Sequence, residues 1–151
     1  MSNLLKKLQY KGSDKVLLLN APAEFQPHVA EISTTTRVDT VPVGDAPYDF
    51  VLVFVKSCGE VEEHAMVVRR LTDDAVLWFA YPKKSSKKYK TDLNRDGGWQ
   101  PLGDLGYEGV RMVAIDDDWS ALRLRHIRNI KSLTRSQDMT LSPEGKARAK
   151  K

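Results

Sequence analysis

Residues 49–81 read DFVLVFVKSCGEVEEHAMVVRRLTDDAVLWFAY, and their pattern decides the architecture. Residues 50–55 (FVLVFV) are apolar throughout and half of them are valine, which marks a strand buried on both faces. A helix to about Leu71 follows. Val61, His64, Ala65, Val68 and Leu71 recur at three- and four-residue steps and share one face. Glu60, Glu62 and Glu63 stand in its first turn and Arg69 and Arg70 in its last, matching the helix dipole at both ends. Thr72-Asp73-Asp74 breaks it, and residues 75–81 (AVLWFAY) read as a second buried strand stopped by Pro82. Strand, helix and strand with both strands apolar make a βαβ unit, whose strands are parallel and whose crossover is right-handed.

Toward the amino terminus the same grammar recurs. Residues 15–20 (KVLLLN) predict a buried strand, and Asn20-Ala21-Pro22 a helix start. Pro27 keeps that helix short or bent. Residues 37–43 are β-rich and predict a further strand. Toward the carboxyl terminus, Trp99, Leu102 and Leu105 predict one short helix. Residues 109–115 and 119–127 alternate in period two around Asp116-Asp117-Asp118, which predicts a hairpin. The expected fold is therefore α/β: a small Rossmann-like sandwich, mostly parallel, with a C-terminal antiparallel hairpin.

The chain of 151 residues suits one domain, expected over residues 1–131. Residues 132–151 are poor in apolar side chains and read as a basic, disordered tail. No apolar run approaches the ~20 residues of a membrane span, so no membrane role is expected. The single cysteine, Cys58, excludes an internal disulfide and the usual cysteine-based zinc centre. With no signal-peptide pattern at the start, a cytoplasmic setting is the expectation.

Net charge is +4, and its distribution matters more than its sum. The tail carries +3 and residues 83–90 (KKSSKKYK) carry +5, leaving the body at −4. Lys83, Lys84, Lys87, Lys88 and Lys90, with Tyr89, begin where a buried strand ends. Open α/β sheets bind ligands at the carboxyl ends of their strands, and lysine there meets phosphate as a point charge. The bland alternative is a solvated loop that keeps the protein soluble.

The residues reached so far carry a resemblance. The strand of residues 15–20 with Ala21-Pro22, the βαβ unit, the strand end Tyr81-Pro82-Lys83-Lys84 and the Trp119-Ser120-Ala121-Leu122-Arg123 segment together resemble a family of short bacterial proteins catalogued as a domain of unknown function. That resemblance runs from about Tyr10 to Arg125 and implies no particular activity. In element order the chain also resembles a pruned S-adenosylmethionine-dependent methyltransferase. Residues 49–55 are similar to the fourth strand of that fold and residues 116–120 to its last hairpin turn. Such enzymes carry a glycine-rich loop after the first strand, whereas residues 20–24 here (NAPAE) contain no glycine. The G-x-G-x-x-G of dinucleotide folds is absent too. Asp39 falls where a ribose-binding acid would sit.

Other candidates weigh less. Cys58 precedes a helix start, where a thiolate is favoured, yet His64 is too far along the helix to serve it. His28 and His126 have no sequence neighbours to complete a metal site. Asp116, Asp117 and Asp118 suit a turn better than a magnesium ion. Trp78 is mid-strand and hence core, while Trp99 and Trp119 either line a pocket or cap the core. The expectation is a non-enzymatic module for an anionic partner, nucleic acid or a phosphate-bearing small molecule, with no cofactor and no metal. Its candidate ligand-binding residues are Asn20, Asp39, Lys83, Lys84, Lys87, Lys88, Tyr89 and Lys90. The alternative is a small-ligand or degenerate methyltransferase-like enzyme with a pocket at the carboxyl ends of the strands.

Overall fold

A computed structural model describes residues 2–94 and 97–130. The expected tail lies outside the described residues. Six strands form one sheet in the order β2-β1-β3-β4-β6-β5. They are β1 (Lys15–Leu19), β2 (Arg37–Asp39), β3 (Tyr48–Phe54), β4 (Leu71–Pro82), β5 (Tyr107–Ala114) and β6 (Trp119–His126). The first four are mutually parallel, while β6 runs antiparallel to both β4 and β5. The fold is thus α/β with a mostly parallel sheet and a C-terminal antiparallel hairpin. Successive strands are added outward from β1 to one side (β2) and then from β3 to the other (β4), so the switch point of the sheet lies between β1 and β3.

Why β3 is apolar from Phe50 onward is plain from its two faces. Val51, Val53 and Val55 enter one core with Val61, Ala65, Leu77, Phe79 and Trp99. Phe50, Leu52 and Phe54 enter the other with Leu5, Leu18, Phe25, Ile32, Trp78 and Trp119. A period-two strand between two helical layers has no wet face. The first core is closed by α3 (Cys58–His64), a 3-10 turn (Ala65–Arg70) and α4 (Gln100–Gly103). The second is closed by α1 (Asn3–Lys7) and α2 (Gln26–Ser33).

Several boundaries differ from the sequence reading. The helix expected to reach Leu71 tightens to 3-10 geometry at Ala65. Val67 and Val68 are poor helix formers, and the tighter turn still buries Ala65 and Val67. β4 begins at Leu71, because Asp74 absorbs an irregularity in a left-handed conformation (φ 52°) and the strand resumes its register at Val76. β2 stops at Asp39, the register partner of Leu17, although β1 runs on to Leu19. Pro27 sits in the first turn of α2, where proline needs no amide hydrogen, so it begins that helix. α1 was not foreseen. Leu5 and Leu8 are both buried, and the Leu8 carbonyl accepts the Trp78 indole N–H at 2.8 Å.

Candidate functional site

The carboxyl ends of β1, β3 and β4, together with the start of β6, meet along one edge of the sheet. The loop of residues 82–90 leaves β4 there and is tied down at three points. Lys83 N–H donates to the Asp118 carbonyl at 2.8 Å, and the Ser86 hydroxyl donates to Asp118 Oδ1 at 2.8 Å. Ser86 Oγ accepts from the backbone N–H groups of Lys88 and Tyr89 at 3.2 and 3.1 Å, closing a tight turn. The third tie is Tyr89, whose ring packs on Trp119 with centroids 5.0 Å apart.

Glu24 is the hub of this edge, and sequence reasoning missed it. Its carboxylate accepts the Tyr89 hydroxyl at 2.7 Å, the Trp119 indole N–H at 3.0 Å and Lys88 Nζ at 3.3 Å. Burial by itself pushes the carboxyl up. The donors outweigh it (Tyr89 first, then Glu24's own backbone, Trp119 and Lys88) and hold the pKa at about 2. The same contact raises Lys88, while burial and Glu24 raise Tyr89. In sequence Glu24 looks like an ordinary acid in a helical first turn. Its partners lie about a hundred residues away at the far extreme, so no local signal could have marked it.

The lysines divide accordingly. Lys88 is paired with Glu24, and its Nζ also lies 5.4 Å from the Tyr89 ring centroid. Lys56, on the loop after β3, places its Nζ 4.9 Å from that same centroid. Lys84 Nζ donates to the Thr91 carbonyl at 2.9 Å. Lys84, Lys87, Lys88 and Lys90 are exposed and Lys83 is half-buried. Among the described residues, no carboxylate contacts Lys83, Lys87 or Lys90. The edge therefore presents cations on a loop whose backbone and aromatic anchor are held in place.

Asn20 and Asp39 stand apart from this loop. Asn20 ends β1 in a left-handed conformation (φ 61°), the backbone state for which glycine is the usual choice. Its Nδ2 lies 3.0 Å from His64 Nε2. A shallow cavity of about 320 Å³ opens beside it, lined by Leu18, Asn20, Ala21, Gln26, Val29 and Thr40. Asp39 is buried, and both of its oxygens are engaged. Arg37 grips it from Nε and Nη2 at 2.8 and 3.0 Å, and the Tyr48 hydroxyl donates to Oδ2. The hydrogen bonds from Arg37 and Tyr48 lower its pKa.

The remaining candidates take structural places. Cys58 is half-buried, and its N–H donates to Asp92 Oδ1 at 2.9 Å. Burial and then Asp92 push its thiol up, opposite to what a nucleophile needs. Asp116 Oδ1 accepts from the N–H groups of Asp118 and Trp119, as turn-forming aspartates do. Trp99 and Trp119 are both buried and cap the two cores. Among the described residues, no helix is long and apolar enough to cross a membrane.

No protein-family model and no curated protein matches the chain. Solved structures do. The N-methyltransferase NodS from Bradyrhizobium japonicum WM9 aligns with a TM-score of 0.49 at 11% identity, over 82% of this chain and 92% of its own. A putative type 11 methyltransferase from Sulfolobus solfataricus aligns with a TM-score of 0.45 at 9% identity, over 82% and 89%. A protein of the NADB-Rossmann superfamily from Streptococcus agalactiae aligns with a TM-score of 0.45 at 11% identity, over 83% and 68%. The fold assignment itself rests on the strand order and register described above.

Proposed function

We propose that this chain is a non-enzymatic binding module that takes an anionic partner, a nucleic acid or a phosphate-bearing ligand, on the lysine loop at the carboxyl edge of its sheet. One observation carries the reading: the loop is anchored through Tyr89, Glu24 and Trp119 while most of its ammonium groups stay in solvent. Anchoring lowers the ordering cost of binding, and exposed lysines supply counterion release. The resemblance to short bacterial proteins belongs to the same reading, because Tyr81-Pro82-Lys83-Lys84 and Trp119-Ser120 are the residues that build this edge.

The test is fluorescence anisotropy of a labelled single-stranded oligonucleotide over a salt series. Three engaged phosphates predict a log–log slope of about −2. Replacing Lys83, Lys87 and Lys90 with alanine should flatten that slope. An affinity indifferent to salt overturns the proposal.

The cavity at the end of β1 favours a second reading, a small-ligand or degenerate methyltransferase-like pocket. At about 320 Å³ it sits at the lower end of ligand-site volumes. S-adenosylmethionine or a nucleotide bound there would raise the melting temperature, and a flat ligand screen would remove this reading.

A further inference from the structure

Beside the lysine loop, at the carboxyl end of the neighbouring strand β3, stands a cation that the loop does not contain. β3 ends at Phe54, the register partner of Ala80 on β4. Val55 adds one more backbone bond, its N–H donating to the Ala80 carbonyl at 2.8 Å. Lys56 follows at once and is exposed. Because β3 lies between β4 and β1, Lys56 stands on the side of the loop nearer the switch point, where open α/β sheets take their ligands.

Tyr89 gathers two ammonium groups. Lys56 Nζ lies 4.9 Å and Lys88 Nζ 5.4 Å from the centroid of its ring. The two are held by different means. Lys88 Nζ also donates to Glu24 Oε1 at 3.3 Å, and that carboxylate offsets its charge. Lys56 makes no ion pair among the described residues. Glu60, the acid closest to it in sequence, turns Oε2 to the Lys56 backbone N–H at 3.1 Å and to the Ser57 hydroxyl at 3.3 Å. Asp118, the other acid of this edge, accepts the Ser86 hydroxyl. An aromatic face attracts an ammonium through its quadrupole and leaves the charge whole. The ring therefore positions Lys56 without neutralising it.

The ring is itself a fixed support. Its hydroxyl donates to Glu24 Oε2 at 2.7 Å, and it packs on the buried Trp119. A free surface lysine loses rotamer freedom when it meets a ligand, and Lys56 has part of that ordering already made.

We propose that Lys56 is a phosphate-binding residue of this edge and that Lys88, although it belongs to the loop, is not. This rests on the reading of the loop as an anion site and extends the ligand from the loop across the end of β3. Lysine meets phosphate as a point charge, so the contact reads no base.

The oligonucleotide salt series tests it. Each phosphate engaged on a single strand contributes about −0.7 to the log–log slope. Lys56 adds one to the three of Lys83, Lys87 and Lys90, so the wild-type slope should steepen from about −2 to about −3. Lys56→Ala should return it to about −2, again one phosphate's worth. Lys88→Ala should leave the wild-type slope in place. Glu24→Gln frees Lys88 and should steepen the slope by about 0.7, a gain that Lys88→Ala in the same chain removes. Lys11 is exposed and lies before β1, at the amino end of the strands, so Lys11→Ala should change nothing. Inorganic polyphosphate in place of the oligonucleotide tells a free phosphate chain from one carried on nucleic acid, and the Lys56→Ala loss is expected with either. The proposal falls, with the reading of the loop intact, if binding is salt-dependent and Lys56→Ala leaves its slope unchanged. It falls equally if Lys88→Ala or Lys11→Ala flattens the slope as much as Lys56→Ala does, or if Glu24→Gln brings no gain. Binding indifferent to salt removes the reading beneath it as well.

Discussion

The lysine loop and the arginine cluster of β6, Arg123 with Arg125, are both cationic, yet they handle charge in opposite ways. At the loop, most ammonium groups lie in water, and the acid among them, Glu24, is half-buried and surrounded by donors. At the cluster the buried charge is a cation, Arg123, with an unpartnered Nε and with its nearby acid, Asp74, gripped by Arg125. Exposed charge costs a protein little, whereas buried charge must be matched.

Substitutions on the two sides should differ in sign. Trp119→Ala has the largest effect expected. It removes a buried indole from the core and a donor from Glu24, so stability in denaturant should fall by about 3–5 kcal/mol. Glu24→Gln comes next. It trades charge-assisted hydrogen bonds for neutral ones and should cost about 1–3 kcal/mol. Arg123→Met should behave in the reverse sense. Replacing a buried guanidinium that makes no direct ion pair and leaves Nε unpartnered with an apolar chain of similar length should leave stability unchanged or raise it by about 1–2 kcal/mol. A loss as large as that of Glu24→Gln would erase the contrast between the two regions.

Acid sharpens the comparison from another side. Glu24 has its pKa lowered from an ordinary 4.5 to about 2. Its contribution is present in full above pH 4.5 and is lost as pH falls through about 2. Wild type should thus lose more melting temperature than Glu24→Gln between those limits, when both are melted across a pH series. Smallest of all should be the effect of Lys87→Ala and Lys90→Ala on stability, within about 0.5 kcal/mol, since these side chains are exposed.

Much of the frame was legible in the sequence, because buried parallel strands need uninterrupted apolar runs. Residues 50–55 and 75–81 could hardly be anything else, and the period-two alternation around Asp116-Asp117-Asp118 marked the hairpin. Less was legible where local preference conflicts with tertiary pairing. Thr72-Asp73-Asp74 looks like a break, yet Arg125 holds Asp74 in an irregularity that lets β4 continue. Residues 40–43 look like strand, yet the pairing with β1 ends at Asp39 and Leu17. α1 has too few residues to show a period, and it is secured by Trp78, about seventy positions away.

Composition and periodicity by themselves determined the layered α/β frame, the direction of its strands and the placing of a lysine loop at their carboxyl edge. These follow from how much apolar surface each segment must hide, which is a local property of the chain. Only the tertiary structure decided which charges are matched. It joined Glu24 to Tyr89 and Trp119, closed Asp39 against Arg37 and Tyr48, and left Arg123 Nε buried without a partner. The energy of a charge depends on what surrounds it in space, and spacing along the chain does not contain that information.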